Sequence, residues 1–304
     1  HAVAKRRPSW HGAASNLSLR HCANQPSGAA RTMTNAARPS RTVAALSSLV
    51  MRGAVGLRAS QFALERRGHT VWPVPTVLLP WHPGQGPSTR TLNPDFAAHT
   101  ADLSTQAAAL DAVFTGYFGA AHQVTAAASF IDAFRQTQPS AIILVDPVIG
   151  DEHGRYVPDD VADAIKTELL PRADIITPNA FELFDLTGER DPETAAAQTG
   201  VATVVATSSA TTHDRIAATL WTGATHHTVW HNASHPAPRG TGDLFAAVFL
   251  AAILEGQPAA AALAEAAAAT SAVAAASPSD ALALQAAQSA IANAPLDQVA
   301  TETA

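Results

Sequence analysis

The chain has 304 residues, 47% of them apolar, enough to bury one large core or two modest ones. A formal charge of −6 gives no case for nucleic acid or an anionic membrane as a partner, and the single cysteine, Cys22, excludes an intrachain disulfide framework or a zinc cluster. No apolar run approaches the roughly 20 residues that span a bilayer, so a cytoplasmic protein is expected.

Residues 1–40 carry Lys5, Arg6, Arg7, Arg20, Arg31 and Arg38 with no acid and no apolar periodicity. Such a leader reads as a transit peptide or as a disordered basic extension. The extension is preferred, with Met33 a natural start ahead of a domain at 41–304. A first strand is expected at 42–46, then a glycine turn at Gly53 and Gly56 and a helix to Arg67 closed by Gly68. A strand over 70–79 leads into the turn-forming loop Pro80 to Gly86. Helix 104–112, strand 113–115, helix 121–136 and strand 141–146 supply two further βα units. Helix 159–169, strand 174–177 and helix 180–187 continue the pattern. Strands near 201–206, 215–222 and 226–231 have no helix between the last two, as in an antiparallel edge hairpin. From Pro258 to Ala304 the Ala-rich composition favours packing helices with a frayed tail. Strand-like and helix-like runs alternating throughout predict a single α/β domain.

Three segments carry chemistry. Gly240-Thr241-Gly242-Asp243 opens into an apolar helix with Leu244, Phe245, Val248 and Phe249 on its buried face. Free N–H groups at that helix start make an anion site. A carboxylate beside a bound anion needs a task, such as taking a proton from a hydroxyl that attacks a phosphate; the alternative is that Asp243 caps the helix. Asp146-Pro-Val-Ile-Gly-Asp151 follows the apolar strand 141–145, and Thr177-Pro-Asn-Ala-Phe-Glu182 follows Ile175-Ile176. Polar groups at such strand ends face the ligand crevice of an open α/β sheet and suit magnesium and nucleotide phosphates. Asn179 and Glu182, three apart, also fit a capping box. His226, His227, His231 and His235 are dense, but a strand does not bring ligands at that spacing together. Neither a Walker A motif nor a GxGxxG fingerprint is present.

The ordered set DPVIGD, TPNAFE and GTGD resembles the ribokinase-like superfamily, specifically its pyridoxal kinase branch. Ser48 to Gly56, Gly68 to Val77, His82 with Gly86, Thr115 to Gly119 and Val204 to Ser209 resemble that family too. The resemblance implies a three-layer αβα sandwich with a central, mostly parallel sheet and an antiparallel edge. It implies ATP-dependent phosphorylation of the hydroxymethyl group of pyridoxal and related vitamers, with Mg2+, a monovalent cation (K+ or Na+) and a homodimer. Asp243 then resembles the base, and the Gly240, Thr241 and Gly242 backbone the cradle of the transferring phosphoryl. Ser48, Thr76 and His82 resemble substrate contacts, Asp151, Tyr156, Thr207 and Ser208 ATP contacts, and Asp146, Thr177 and Glu182 the cation site, supported by Asn179. Leu49 and Leu57 stand where many members carry His and Asn, which would make the substrate end greasier, and Arg239 adds a permanent cation beside the phosphates. The alternatives are a hydroxymethylpyrimidine kinase, whose branch typically has cysteine in place of Asp243, a sugar kinase of the same superfamily, and a weakly catalytic vitamer-binding protein.

Overall fold

Val43 and Ala45 pack into one apolar layer, and Ala44 and Leu46 into the layer on the opposite side, none of them with exposed surface. That is the period-two pattern of a strand buried on both faces, as a parallel sheet requires. In the computed structural model, which describes residues 39–223 and 225–303, this strand is β1 (Thr42–Arg52), longer than the expected 42–46. The basic leader up to residue 38, with Met33, lies outside the described residues.

The chain continues through α1 (Leu57–Arg66), β2 (Thr70–Trp81), β3 (Thr91–Leu92), α2 (Phe96–Ser104), β4 (Ala112–Thr115), α3 (Ala121–Thr137) and β5 (Ile142–Val145). A short ribbon, β6 (Gly150–Asp151) and β7 (Gly154–Arg155), precedes α4 (Asp159–Ala164), β8 (Ile175–Ile176), α5 (Ala180–Thr187) and α6 (Pro192–Gln198). Then come β9 (Thr203–Thr211), β10 (Arg215–Thr222), β11 (Thr225–Asn232), α7 (Thr241–Leu254), α8 (Ala259–Ala275), α9 (Gln288–Ala292) and β12 (Ala300–Thr303). The main sheet has the order β12-β11-β10-β9-β8-β5-β4-β1-β2-β3. β2, β1, β4, β5, β8 and β9 are parallel, while β3 pairs antiparallel at one edge and β10, β11 and β12 add by successive antiparallel pairings at the other.

Helices cover both faces: α1, α7, α8 and α9 share one apolar layer, and α2 to α6 the other. Helix α7 is buried from Leu244 through Ala252, well beyond the stripe of Leu244, Phe245, Val248 and Phe249, because it packs between α1 and α8 as well as on the sheet. A helix apolar all round is a core helix, and truncating Phe249 to alanine would cost about 3–5 kcal/mol.

Three expectations need correction. The helix expected at 104–112 is α2 at 96–104, followed only by a single 3-10 turn at 107–109. Asn93 starts the helix early, accepting from the Asp95 N–H and donating to the Pro75 carbonyl, and buried Phe96 anchors it, so tertiary contacts override the helix propensity of Ala107 to Ala109. The carboxyl tail is not frayed: β12 adds to the sheet in antiparallel register, Ala300 opposite Trp230. The β10–β11 hairpin is consequently one strand in from the edge.

Candidate active site

From β1 the chain moves outward to β2 and then returns to β4 on the other side of β1, a topological switch point of the kind that opens a ligand crevice at strand carboxyl ends. A cavity of about 930 Å3 lies there, lined by Ser48 and His82 at one end, by Gly240 to Asp243 in the middle, and by residues of β9 to β11 and α8 at the other.

Two glycine turns hold its centre. Gly240, the residue before α7, is left-handed at φ 94°, and a Cβ there would stand 2.1 Å from the Ala54 carbonyl oxygen. Gly56 has φ 58°, and a Cβ there would stand 2.3 Å from the Ser48 carbonyl oxygen. Both positions need glycine for conformation and for close approach. No side chain caps α7, so Asp243 is not its cap; Asp243 sits in the first turn and accepts the Gly56 N–H at 2.9 Å. The backbone N–H groups of that turn lack intrahelical partners and face anions favourably. Burial raises the Asp243 carboxyl to about 6, against the pull of the Gly56 hydrogen bond.

Asp146 follows β5, is 6% exposed and accepts the Thr177 hydroxyl at 3.0 Å through Oδ1. Burial, then the carboxylates of Glu182 and Asp243, push its carboxyl well above the usual range. Thr177, also buried, does not line the cavity, and its proton is spent on Asp146. Glu182 does reach the cavity, yet both its oxygens are engaged. Oε2 accepts the Asn179 N–H at 2.9 Å and Oε1 the Ile149 N–H at 2.8 Å, while Asn179 Oδ1 accepts the Glu182 N–H. The capping box is formed, and Glu182 fastens the Asp146–Gly150 loop to α5.

Asp151, Tyr156, Thr207 and Ser208 line the cavity between the loop after β5 and β9, Tyr156 with half its surface open. Thr76 does not line it. The β1–β2 register shifts between Ser47 and Leu49, which puts Ser48 opposite the extra residue of β2; Thr76 is fully buried and its hydroxyl donates to the Tyr117 carbonyl at 2.7 Å. A bulge re-aims side chains in this way. Leu49 and Leu57 belong to the core beneath α7 and are not cavity residues. His82 Nδ1 accepts the Gly84 N–H at 3.0 Å, and burial, then the Arg239 guanidinium, lower its pKa. Arg239 lies against Gly84, where a Cβ would meet its guanidinium carbon at 2.6 Å, so the loop after β2 and the segment before α7 touch.

Sequence reasoning missed several cavity residues. Arg90, just before β3, lies 5.6 Å over the Tyr117 ring and donates to the Gly119 carbonyl, a pairing that only the β2–β3 contact creates. Val148 adopts φ 37°, a costly conformation for a β-branched residue, in the loop that Glu182 holds. Among the described residues no group of three or more His, Cys, Asp or Glu side chains is poised to hold a metal ion, and the histidines of β11 do not converge. The Asp146 carboxyl, on which Glu182 and Asp243 both act, has only Oδ1 taken by Thr177, which leaves Oδ2 as a donor suited to a cation.

The phosphomethylpyrimidine kinase family model matches residues 53–287. A pyridoxine/pyridoxal/pyridoxamine kinase of Bordetella avium is 36% identical over 231 residues, 70% of this chain and 78% of that protein. A pyridoxal kinase of Deinococcus radiodurans is 37% identical over 155 residues, 49% of this chain and 52% of that protein. The pyridoxal kinase of Leishmania donovani in complex with ADP and pyridoxamine superposes with a TM-score of 0.79 at 24% identity, covering 87% of this chain and all of that one, which shows the shared fold. The chain belongs to the phosphomethylpyrimidine kinase family of the ribokinase-like superfamily, and within it to the pyridoxal kinases.

Proposed function

We propose that this chain transfers the γ-phosphoryl group of ATP to the 5′-hydroxymethyl group of pyridoxal and related B6 vitamers, giving pyridoxal 5′-phosphate. One observation carries the chemistry: a carboxyl group with raised proton affinity, Asp243, stands in the first turn of a helix whose N–H groups face the same cavity. At neutral pH Asp243 is ionised, yet it is a stronger base than an ordinary aspartate. It takes the hydroxyl proton as the oxygen attacks the γ-phosphorus and the bond to the β-phosphate oxygen breaks. The amides of Thr241 and Gly242 hold the charge that develops on the transferring group.

Ser48 and His82 position the vitamer, and Asp151, Tyr156, Thr207 and Ser208 the nucleotide. Thr76 acts only through Tyr117, whose carbonyl it holds. Asp146 would hold a magnesium ion, which would supply charge neutralisation at the phosphates; Thr177 orients that carboxylate and Glu182 fixes the loop bearing it. A monovalent cation (K+ or Na+), a homodimer and a cytoplasmic location complete the proposal, on family resemblance.

Hydroxymethylpyrimidine kinase is the second reading, favoured by the description of the matching family model. Asp243 weighs against it, since that branch typically places a cysteine where this chain has Asp243. Turnover with pyridoxal, pyridoxine and hydroxymethylpyrimidine, beside a binding titration of each, decides. Pyridoxal or pyridoxine turned over faster than the pyrimidine supports the proposal. The reverse order overturns it, and binding without turnover makes the chain a vitamer carrier.

A further inference from the structure

Arg90 lines the cavity, and no step of phosphoryl transfer uses it. It stands just before β3, which pairs with β2 at the sheet edge opposite β12, on the side of the vitamer residues. Tyr117, another cavity residue, is the platform on which it rests. The Tyr117 backbone is fixed twice: its N–H donates to Ser47 Oγ at 3.1 Å, and its carbonyl accepts the Thr76 hydroxyl at 2.7 Å. The Arg90 guanidinium lies 5.6 Å from the centre of the Tyr117 ring, a cation–π distance. Its Nη2 donates to the Gly119 carbonyl at 2.8 Å. Glycine permits that seat, since a Cβ at position 119 would stand 2.8 Å from Nη2. Most of the guanidinium donors are left over, and among the described residues no carboxylate pairs with Arg90. Tyr117 does not supply the missing charge, because burial raises its pKa in spite of the neighbouring guanidinium and keeps its hydroxyl neutral.

An unpaired guanidinium held in place beside a neutral ring suits an oxyanion that arrives with the substrate. Of the two acceptors weighed above, only the B6 vitamer brings one: its ring hydroxyl is ionised at neutral pH because the pyridine nitrogen takes up the proton. Hydroxymethylpyrimidine carries a ring amino group instead, which would set donors against donors. Thr76, the residue that resemblance assigned to the substrate, is buried and spends its hydroxyl on Tyr117. We propose that the Arg90 guanidinium holds the ionised ring hydroxyl of the vitamer, so that the site selects a hydroxypyridine over an aminopyrimidine. This rests on the kinase reading for the place of the vitamer in the cavity.

The test measures binding apart from turnover. Pyridoxine and 3-deoxypyridoxine, which lacks only the ring hydroxyl, are titrated calorimetrically against the full chain at pH 8. Pyridoxine should bind about tenfold more tightly, the low end for a charge-assisted hydrogen bond because Arg90 is exposed. Arg90→Met should weaken pyridoxine about tenfold while changing 3-deoxypyridoxine less than twofold, and Arg90→Lys should recover part of the loss. Absorption of bound pyridoxal gives a second readout: the band of the ionised ring hydroxyl should persist about one pH unit lower in the unmodified chain than in Arg90→Met. Equal affinity of the unmodified chain for the two ligands overturns the proposal with no variant needed. So does an Arg90→Met protein, folded by circular dichroism, that weakens both alike or leaves the absorption titration unmoved, since Arg90 would then only brace Tyr117 and Gly119. Discriminating binding without turnover would leave the role of Arg90 standing and remove the kinase. Binding of neither ligand, or faster turnover of hydroxymethylpyrimidine than of pyridoxine, would overturn both readings.

Discussion

Replacing Asp243 by asparagine should stabilise the protein while removing its activity. The carboxyl group is pushed from an ordinary aspartate value near 3.9 to about 6 by burial, with the Gly56 N–H alone pulling it down. The protonated form is therefore favoured in the fold. Its stabilising contribution is complete below about pH 4, and is lost as pH rises through about 6. Above pH 7 the ionised group costs the folded state up to about 3 kcal/mol, since each tenfold change in proton affinity is worth about 1.4 kcal/mol. The side chain keeps a partly open face to the cavity, which makes that figure an upper bound. Asparagine retains an oxygen for the Gly56 N–H and carries no charge. At pH 8 the variant should melt up to about 6 °C higher than the unmodified chain, and at pH 4 the two should coincide. Turnover should fall by about 10² to 10⁴, the usual worth of a general base, with ADP affinity nearly intact. In the unmodified enzyme, kcat/KM should decline as pH falls below about 6. Near-native turnover in the variant, or a melting difference independent of pH, would refute the assignment of a buried, ionised base.

Glu182→Gln replaces one accepting oxygen by an amide that cannot accept the Asn179 or the Ile149 N–H, so stability should fall by about 1–3 kcal/mol with the magnesium concentration for half-maximal rate unchanged. A raised magnesium requirement without loss of stability would instead make Glu182 a cation ligand. Arg67→Ala removes the fully buried guanidinium that binds Glu255 and Glu265 at 2.6 and 2.7 Å. Chemical denaturation should show a loss of about 3–5 kcal/mol, and a loss under 1 kcal/mol would mean that water replaces the pair. Gly240→Ala drives a Cβ toward the Ala54 oxygen at a left-handed φ; turnover should collapse, and calorimetry should show the loop displaced through weakened ADP binding.

How much of this was legible in the sequence depends on how far apart the partners lie in the chain. Val43 to Leu46 and Ile142 to Val145 read as strands because burial on both faces leaves a continuous apolar run, a purely local signal. Asn179 and Glu182 read as a capping box because both halves lie within four residues. The turn from His82 to Gly86, though not Pro80 and Trp81, which stay in β2, and the start of α7 were likewise legible from turn and cap chemistry. Thr76 was not, because its direction depends on a register shift against β1 that periodicity on either strand alone does not contain. The tail strand β12 was hidden for a related reason: Ala-rich composition reports helix propensity, while the pairing of Ala300 with Trp230 is decided by an open edge seventy residues earlier.

The same distinction separates the motif from the site. Gly240 to Asp243 announces an anion-binding helix start by itself, but the acid at its third position is equally suited to a cap. Asp243 accepts the N–H of Gly56, 187 residues away in the turn after β1, where the Ala54 carbonyl lies too close to position 240 for any residue but glycine. In the proposed mechanism that hydrogen bond draws the carboxylate toward the turn and leaves the free N–H groups of α7 to an incoming phosphate. Proton acceptor and phosphoryl cradle in that mechanism come from one four-residue segment, and their division of labour is imposed by a second segment that carries no reactive side chain. A substitution in the Gly53–Gly56 turn should for that reason act on turnover as strongly as one in the GTGD loop, although nothing in the turn itself can accept a proton.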